Sequence, residues 1–236
     1  MKPKLLDLFC CGGGASRGYH AAGFDVVGVD IEPQPNYPFA FIQADALEYV
    51  AANGHLYDAI HASPPCQGYS PHVSSAGSQW VPTEGKNEPK LIAPVRALLE
   101  ASGKPFVIEN VMGARHELRA NLQLCGTMFG LPLARHRLFE SSVWIEQPEH
   151  RPCKGVAKVY AIQRGWEYRD MSVTGKGRRA GTADRWKQIL GLPADASLTQ
   201  HQLAECIPPA YTHYIGTKLL EALNQPPSHY SPQEPK

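Results

Sequence analysis

The sequence predicts an α/β fold with a mostly parallel sheet that carries helices on both of its faces. Short apolar runs alternate with helix-compatible segments over about the first 140 residues. Acidic side chains follow several of these runs, and both features are typical of repeated βαβ units. With 236 residues, 43% of them hydrophobic, the chain is long enough for one sizeable core and a small appended module.

Five apolar runs are the candidate strands of this sheet: residues 5–9, 26–30, 40–42, 59–62 and 106–108. Helices are predicted over residues 16–22, 47–52, 90–101 and 211–223. The first three of these helices end near Gly23, Gly54 and Gly103, and glycine is the residue expected to stop a helix.

The pattern changes near residue 146. Residues 1–145 carry the alternation, whereas residues 146–190 consist of short polar and basic pieces without a long period. Residues 191–225 are expected to complete the main domain, and residues 226–236 to form a Pro-rich tail. His150 and Cys153 lie in the basic piece, but two possible ligands without a second pair fall short of a zinc site, so no metal is predicted.

Net charge and cysteine content indicate which partners and which cellular compartment to expect for the protein. The net charge of +1 gives no global preference for nucleic acid or membrane. Six cysteines without a Cys-x-x-Cys pair indicate a reduced, cytosolic compartment. The N-terminal segment is too short for a signal peptide, and no apolar run approaches the roughly 18 residues of a membrane span. We expect a cytoplasmic monomer without membrane contact or obligate protein partner.

The turn Ser63-Pro64-Pro65-Cys66-Gln67 places a cysteine directly after a predicted strand. Two consecutive prolines fix the backbone and withhold two donors, so no helix begins before Cys66. A thiol held there is well placed for nucleophilic attack; taken alone, the turn is also compatible with an incidental small hydrophobe.

Glycines and acids mark the ends of other strands. The segment Cys10-Cys11-Gly12-Gly13-Gly14 joins the first strand to the first helix, and its glycines permit close approach to a ligand. The absence of Gly-x-Gly-x-x-Gly argues against a dinucleotide site. Asp30 and Asp45 end the next strands and favour an adenosine-containing cofactor; for each acid alone, a solvated carboxylate or helix cap is the alternative.

Glu109 ends the fifth predicted strand, at the same sheet edge as Cys66. An apolar setting there would raise the pKa of its carboxyl and let it share a proton with a ring nitrogen. A salt-bridge partner is the alternative role.

Taken in order, these motifs resemble those of the cytosine-5 DNA methyltransferases, and in particular the compact forms found in bacteriophages. The matching segments are Asp7-Leu8-Phe9-Cys10 with Gly13-Gly14, Pro64-Pro65-Cys66-Gln67, Glu109-Asn110-Val111, Arg135-His136-Arg137, and Ile207-Pro208-Pro209-Ala210 with Ile215-Gly216. The resemblance covers most of the chain except residues 146–190. It implies a Rossmann-like class I methyltransferase sheet in residues 1–145, with residues 146–190 as a small inserted target-recognition module.

The resemblance also implies the catalytic roles. Cys66 would add to C6 of a cytosine flipped out of double-stranded DNA, while Glu109 holds a proton at N3. Arg135 and Arg137 are expected to alternate along one strand, so that both side chains point to the same face. Arg137 would hold the O2 oxygen of the base, with Arg135 beside it. An exposed pair on an edge strand is the alternative for the two arginines.

S-adenosyl-L-methionine is the cofactor that the resemblance implies. Asp30 would bind its ribose and Asp45 its adenine amino group, and Phe9 would lie against it. The other candidates for cofactor binding are Asp7, Cys10, Gly13, Gly14, Ile31, Ala46, Pro64 and Glu205.

The basic module is the predicted contact surface for the DNA backbone. Between Arg151 and Lys187, ten cationic residues stand against three acidic ones. A solvated face is the alternative. The candidate DNA contacts are Gln67, Ser70, Arg164, Lys176, Arg178 and Arg179. Residues 67–87 are long and polar enough to close behind a flipped base, or to form an ordered surface loop.

Three residues depart from the family pattern: Cys11 in place of glycine, Leu133 in place of glutamine, and Glu205 in place of asparagine. A cytosine-5 RNA methyltransferase and a catalytically silent DNA-binding relative are the competing interpretations. The sequence does not identify the DNA site that would be methylated. It also leaves three biological roles open, namely restriction protection, anti-restriction and regulation.

Overall fold

A computed structural model describes residues 1–69, 89–150, 152–165 and 182–224, together with the two short strands His72–Val73 and Trp80–Val81. Several expected DNA contacts, namely Ser70, Lys176, Arg178 and Arg179, and most of the predicted gating loop lie outside these residues. Among the described residues, no helix is both long and apolar enough to cross a membrane.

One mixed seven-stranded sheet forms the centre of the molecule. Its strands are β1 (Lys4–Leu8), β2 (Asp25–Asp30), β3 (Ala40–Gln43), β4 (Ala59–Ala62), β7 (Phe106–Asn110), β8 (Leu122–Leu124) and β9 (Arg137–Ser141). They lie in the order β3-β2-β1-β4-β7-β9-β8. The first five are parallel, and β9 and β8 add antiparallel pairs at one side. The short strands His72–Val73 (β5) and Trp80–Val81 (β6) pair separately.

Helices cover both faces of the sheet. Successive residues of a strand point to opposite faces, and apolar side chains occur on both, so both faces need to be covered. The helices are α1 (Gly14–Ala22), α2 (Ala46–Asn53), α3 (Ile92–Ser102), α4 (Val156–Gln163), α5 (Ala183–Leu190), α6 (Gln200–Glu205) and α7 (Pro209–Leu223). On one face Leu6 of β1 packs with α2 and α3, and on the other Leu5 packs with α1 and α7. The predicted α/β class with a mostly parallel sheet is confirmed.

A third, smaller apolar cluster joins the basic module to the C-terminal segment. It contains Trp186 and Ile189 of α5, Leu203 of α6 and Ala161 of α4, all fully buried. Two short helices, α4 and α5, thus lie within residues 146–190, where the sequence shows short pieces without a long period. Their apolar positions are too few to show such a period, and they are buried by contact with α6 and with neighbours such as Leu133 and Leu192.

The structure corrects the expectation for the Arg-x-Arg motif. Arg135 was expected to share a strand with Arg137, but β9 begins at Arg137 and Arg135 lies in the segment before it. The guanidinium group of Arg135 donates to the carbonyl of Ala204, near the end of α6, and the hydroxyl of Tyr211 donates to the Arg135 carbonyl at 2.6 Å. Arg135 therefore makes contacts with the C-terminal segment instead of backbone hydrogen bonds with a neighbouring strand.

Candidate active site

A cavity of about 610 Å³ opens at the carboxyl ends of β1, β2, β4 and β7. Parallel strands bring the residues that follow them to one edge of the sheet, which is where ligands bind in open α/β folds. Most of the predicted site residues line this cavity: Asp7, Phe9, Cys10, Gly14, Asp30, Ile31, Pro64, Cys66, Gln67, Glu109, Arg135, Arg137 and Glu205. The predicted nucleophile, proton donor and cofactor loop therefore share one pocket.

Among the predicted residues that the structure describes, four are not part of the cavity wall. Gly13 lies in the loop but faces Tyr37 and Pro38, and Arg164 lies against the ring of Tyr160. Asp45 caps α2, since its Oδ1 accepts the N–H groups of Leu47 and Glu48 at 2.8 and 3.0 Å. The remaining one is Ala46, the first residue of α2. For Asp45, the structure shows the helix cap that the sequence left open as an alternative.

The Pro64-Pro65-Cys66 turn is held from the neighbouring strand. The side-chain amide of Asn110 donates to the carbonyl of Pro64 at 2.9 Å, and its oxygen accepts the N–H of Val111 at 2.9 Å. On the far side of the thiol, the N–H of Tyr69 donates to the carbonyl of Cys66 at 3.0 Å. Cys66 itself is partly exposed to the cavity. Asn110 is a positioning residue that sequence reasoning did not single out.

Glu109 is buried beside two arginines. Its Oε1 lies 2.9 Å from Nε of Arg137 but accepts no hydrogen bond from the residues that the structure describes. Burial raises the pKa of this carboxyl, and the charges of Arg137 and Arg135 and a hydrogen bond with Ser63 lower it in part. A raised pKa favours the protonated form of the carboxyl.

A chain of buried polar side chains supports Glu109. The Nε2 atom of His61 lies 2.8 Å from the hydroxyl of Ser63, and its Nδ1 lies 2.9 Å from the hydroxyl of Tyr19. Burial lowers the pKa of His61 to about 3, so the ring is neutral. His61 and Ser63 were not expected to act at the site. Their signal was weak because a histidine in an apolar strand is usually a satisfied core residue.

The loop after β1 has an unusual backbone. Phe9 and Cys11 have φ of 59° and 45°, in the left-handed region that side chains other than glycine rarely adopt, and Gly13 follows with φ of 78°. Asp30 fixes this path, because its carboxylate accepts the N–H of Cys11 at 2.9 Å. The place where the sequence departs from the family's glycine is thus a place where glycine would be favoured.

Asp7 lies beneath the loop and is almost fully buried. Its Oδ2 accepts the hydroxyl of Ser16, which also contacts the hydroxyl of Tyr37 at 2.6 Å. Burial raises the pKa of Asp7 to about 7, and the nearby charge of Asp30 adds to the rise. Asp7 therefore supports the loop from inside and presents little surface to a ligand.

The segment before α7 forms another wall of the cavity, to which Glu205, Cys206 and Ile207 contribute. A Cβ atom at Gly14 would collide with Sγ of Cys206 and lie 2.8 Å from the carbonyl oxygen of Ile207, so the start of α1 packs directly on the segment before α7. Glu205 lies here as well, with its Oε2 3.8 Å from Sγ of Cys11. Two of the three departures from the family pattern are therefore in contact.

Comparison with known proteins agrees with this geometry. No family model matches the chain. It is 30% identical over 128 residues to the type II methyltransferase M.AgeI of Thalassovita gelatinovora, a match that covers 47% of this chain and 28% of that protein. It is 32% identical over 134 residues to the type II methyltransferase M.AquIA of a Picosynechococcus species, covering 48% and 50%. The chain thus spans half or less of the length of these relatives.

The fold has a solved counterpart. The crystal structure of the Dnmt2 methyltransferase of S. pombe superposes with a TM-score of 0.60 at 14% identity, covering 95% of this chain and all of that one. Both relatives are named type II methyltransferases, so the sequence comparison supports the predicted resemblance at the level of a methyltransferase. The predicted class I methyltransferase fold is confirmed, since the superposition extends over nearly the whole chain.

Proposed function

We propose that this protein is a DNA (cytosine-5)-methyltransferase that uses S-adenosyl-L-methionine. The observation that carries the proposal is the shared cavity, in which the thiol of Cys66, the buried carboxyl of Glu109 and the guanidinium of Arg137 meet the glycine-rich loop after β1. The relatives named type II methyltransferases support DNA as the substrate.

The residues present fit the cofactor. The cavity of about 610 Å³ has the size of a site for a nucleoside-containing ligand, and it extends from Asp30 and the loop to Cys66 without an intervening wall. Asp30, Phe9 and Ile31 would hold the adenosine part, and Pro64 would lie on the path to the base. When bound, S-adenosyl-L-methionine supplies the electrophilic methyl group.

Cys66 and Glu109 would activate the base together. The Cys66 thiolate forms a bond to C6 of the cytosine while the proton of Glu109 stabilises the charge that develops at N3, so that C5 gains the electron density of an enamine. After methylation, a base removes the proton at C5 and the Cys66–C6 bond breaks, which restores both the aromatic ring and the thiolate. Arg137 would hold the O2 oxygen in place through these steps.

The base has to leave the duplex to reach Cys66, because C5 and C6 are stacked inside it. Gln67, at the rim of the cavity, and the cations of residues 151–187 would hold the flanking DNA. Among these cations, Arg164 is exposed to solvent. The proposal for Ser70, Lys176, Arg178 and Arg179 concerns residues outside the described part of the chain.

Trapping with 5-fluorocytosine tests the mechanism. Because fluorine at C5 cannot be removed as a proton, the enzyme should stay bonded to duplex DNA that carries this base, and the adduct should survive denaturing electrophoresis. We expect the adduct with the native protein and cofactor, none with Cys66→Ala, and much less with Glu109→Gln. Glu100→Gln, a change at an exposed glutamate, is the matched control and should behave as native.

Genomic DNA from expressing cells, sequenced after bisulfite conversion, supplies the target site for the trapping duplex. A parallel incubation with tRNA separates DNA from RNA as the substrate. An adduct on RNA alone would overturn the choice of DNA, and conversion-resistant cytosines that persist in the Cys66→Ala variant would overturn the covalent route.

A further inference from the structure

Four metal-binding side chains converge outside the catalytic cavity. One ligand atom each of Cys125, His136, His150 and Cys153 lies within 4.8 Å of all the others. Sγ of Cys153 is 3.9 Å from Nε2 of His136, and the rings of His136 and His150 are perpendicular with their centroids 5.1 Å apart. Two sulfur and two imidazole ligands surround a common centre.

The tertiary fold assembles this cluster from three separate places. Cys125 directly follows β8, and His136 lies between the two arginines that precede and begin β9. His150 and Cys153 precede α4, at the start of the basic module. In the sequence, only His150 and Cys153 stand out as possible ligands, and no metal is predicted because a second pair is missing. Cys125 and His136 are that second pair.

The distances match a tetrahedral metal site. With bonds of about 2.3 Å to sulfur and 2.0–2.1 Å to nitrogen, tetrahedral ligands lie about 3.3–3.8 Å from one another. The observed separations of up to 4.8 Å need to contract by about 1 Å, which rotation of the partly exposed His136 and Cys153 and the exposed His150 permits.

Hydrogen bonds orient the sulfur of Cys125. This residue is fully buried, and its sulfur accepts the backbone N–H of Met128 and the hydroxyl of Thr127, the latter at 3.4 Å, while its thiol lies 3.9 Å from the carbonyl oxygen of Leu133. Such contacts around a ligand atom fix its direction.

We propose that Cys125, His136, His150 and Cys153 bind one Zn²⁺ ion in a closed structural site. Two thiolates and two imidazoles suit zinc, and four protein ligands leave no open position for catalysis. The ion would tie the start of the basic module to the end of β8 and to the residue between Arg135 and Arg137. Metal binding would therefore hold the proposed DNA-binding module and the arginines of the cavity in one arrangement.

Metal content is the direct test, and it does not depend on methyltransferase activity. Untagged protein purified under reducing conditions should contain about one zinc ion per chain, as measured by inductively coupled plasma mass spectrometry. The variants Cys153→Ser and His150→Asn should each contain less than about a fifth of that amount. Cys66→Ser and His55→Asn change a cysteine and an exposed histidine away from the cluster, and both should keep the full content.

Substitution of Co²⁺ for the proposed Zn²⁺ identifies the type of ligand atom at the site. Co²⁺ in the native protein should give the intense visible bands of a tetrahedral site and a sulfur-to-metal charge-transfer band, and the latter should weaken in Cys153→Ser. A chelator should lower the melting temperature of the native protein and not that of Cys153→Ser.

Three results would overturn the proposal: native protein that takes up no zinc from excess metal, equal metal content in all variants, or a Cys125–Cys153 disulfide in the reduced preparation. Circular dichroism of each variant shows whether it is folded. Since His150 is exposed, His150→Asn is expected to fold even where a cysteine variant does not.

Discussion

Two glutamate–arginine pairs are buried at the junction of β7 and β9, and they are built differently. Glu140 of β9 accepts two hydrogen bonds from Arg96 of α3, at 2.6 and 2.7 Å, and a third from the backbone of Arg119 at 2.9 Å. Glu109 of β7 has one oxygen near Arg137 at 2.9 Å, and that oxygen accepts no hydrogen bond within the described residues.

The contrast separates a fully paired carboxylate from an incompletely paired one. In the Arg96 pair both carboxylate oxygens accept a hydrogen bond from the guanidinium group, so the negative charge is stabilised and the pair connects α3 to the sheet. In the Arg137 pair the contact is incomplete and burial dominates, so the pKa of Glu109 is raised. An incompletely satisfied acid at a cavity wall can still interact with a substrate.

Replacement of Glu140 should have the largest effect on stability. Glu140→Ala leaves the buried guanidinium of Arg96 unpaired and should lower the free energy of unfolding by about 3–5 kcal/mol. Urea unfolding followed by circular dichroism measures this. A loss of less than 1 kcal/mol would show that the aligned pair is not a structural fastening.

Replacement of Glu109 should show the opposite pattern. Glu109→Gln removes the proton donor and should slow methyl transfer about 10²–10⁴-fold, with little change in the free energy of unfolding. Single-turnover assays with tritiated cofactor measure the rate. A variant that transfers methyl normally but unfolds as readily as Glu140→Ala would reverse the two assignments.

Asp7 extends the comparison to a buried carboxyl whose partner is the hydroxyl of Ser16, with no ion pair to an arginine in the part of the chain that the structure describes. Because its pKa is about 7 in the folded chain and about 4 when unfolded, its contribution to stability is present below pH 4 and is lost as the pH rises to 7. Asp7→Asn should remove this fall, which is at most about 4 kcal/mol. Urea unfolding from pH 4 to pH 8 tests it, with Asp25→Asn at an exposed position as the control. Parallel stability–pH curves for native and Asp7→Asn protein would contradict it.

Ser63 sharpens the account of Glu109. Loss of its hydroxyl in Ser63→Ala removes a hydrogen bond that lowers the pKa of Glu109, so this pKa should rise further and methyl transfer should slow about tenfold. The limb of the pH–rate profile that reports Glu109 should move to higher pH, and Ser63→Thr should restore it. A slower rate with an unmoved profile would assign Ser63 a packing role only.

The smallest effect concerns the loop after β1. Cys11→Gly relieves a backbone at φ of 45° and should raise the free energy of unfolding by about 0.5–1 kcal/mol. Cys11→Ala removes the thiol and keeps the backbone cost, so it should bring no gain. Equal stability of the two variants would show that the loop is not strained at this residue.

Much of the site could be predicted from local signals. Cys66 follows a Pro-Pro turn, and Glu109 and Asp30 end apolar runs, so each lies where parallel strands place their carboxyl ends. Asn110 and Ser63 could not be assigned roles in this way, because their partners belong to a neighbouring strand. Asp45 carried an ambiguous signal, since a helix cap and a ligand-binding acid look alike in a sequence.

The sequence by itself determined the α/β class, the residues at the cavity and the family resemblance, because these depend on alternation along the chain and on short motifs. Only the tertiary structure decided which of two buried glutamates has both oxygens hydrogen-bonded and which has an oxygen without a hydrogen bond from the described residues. It also decided that Cys125 and His136 join His150 and Cys153. Both outcomes depend on the order of strands in the sheet, which brings together residues that no periodic pattern connects.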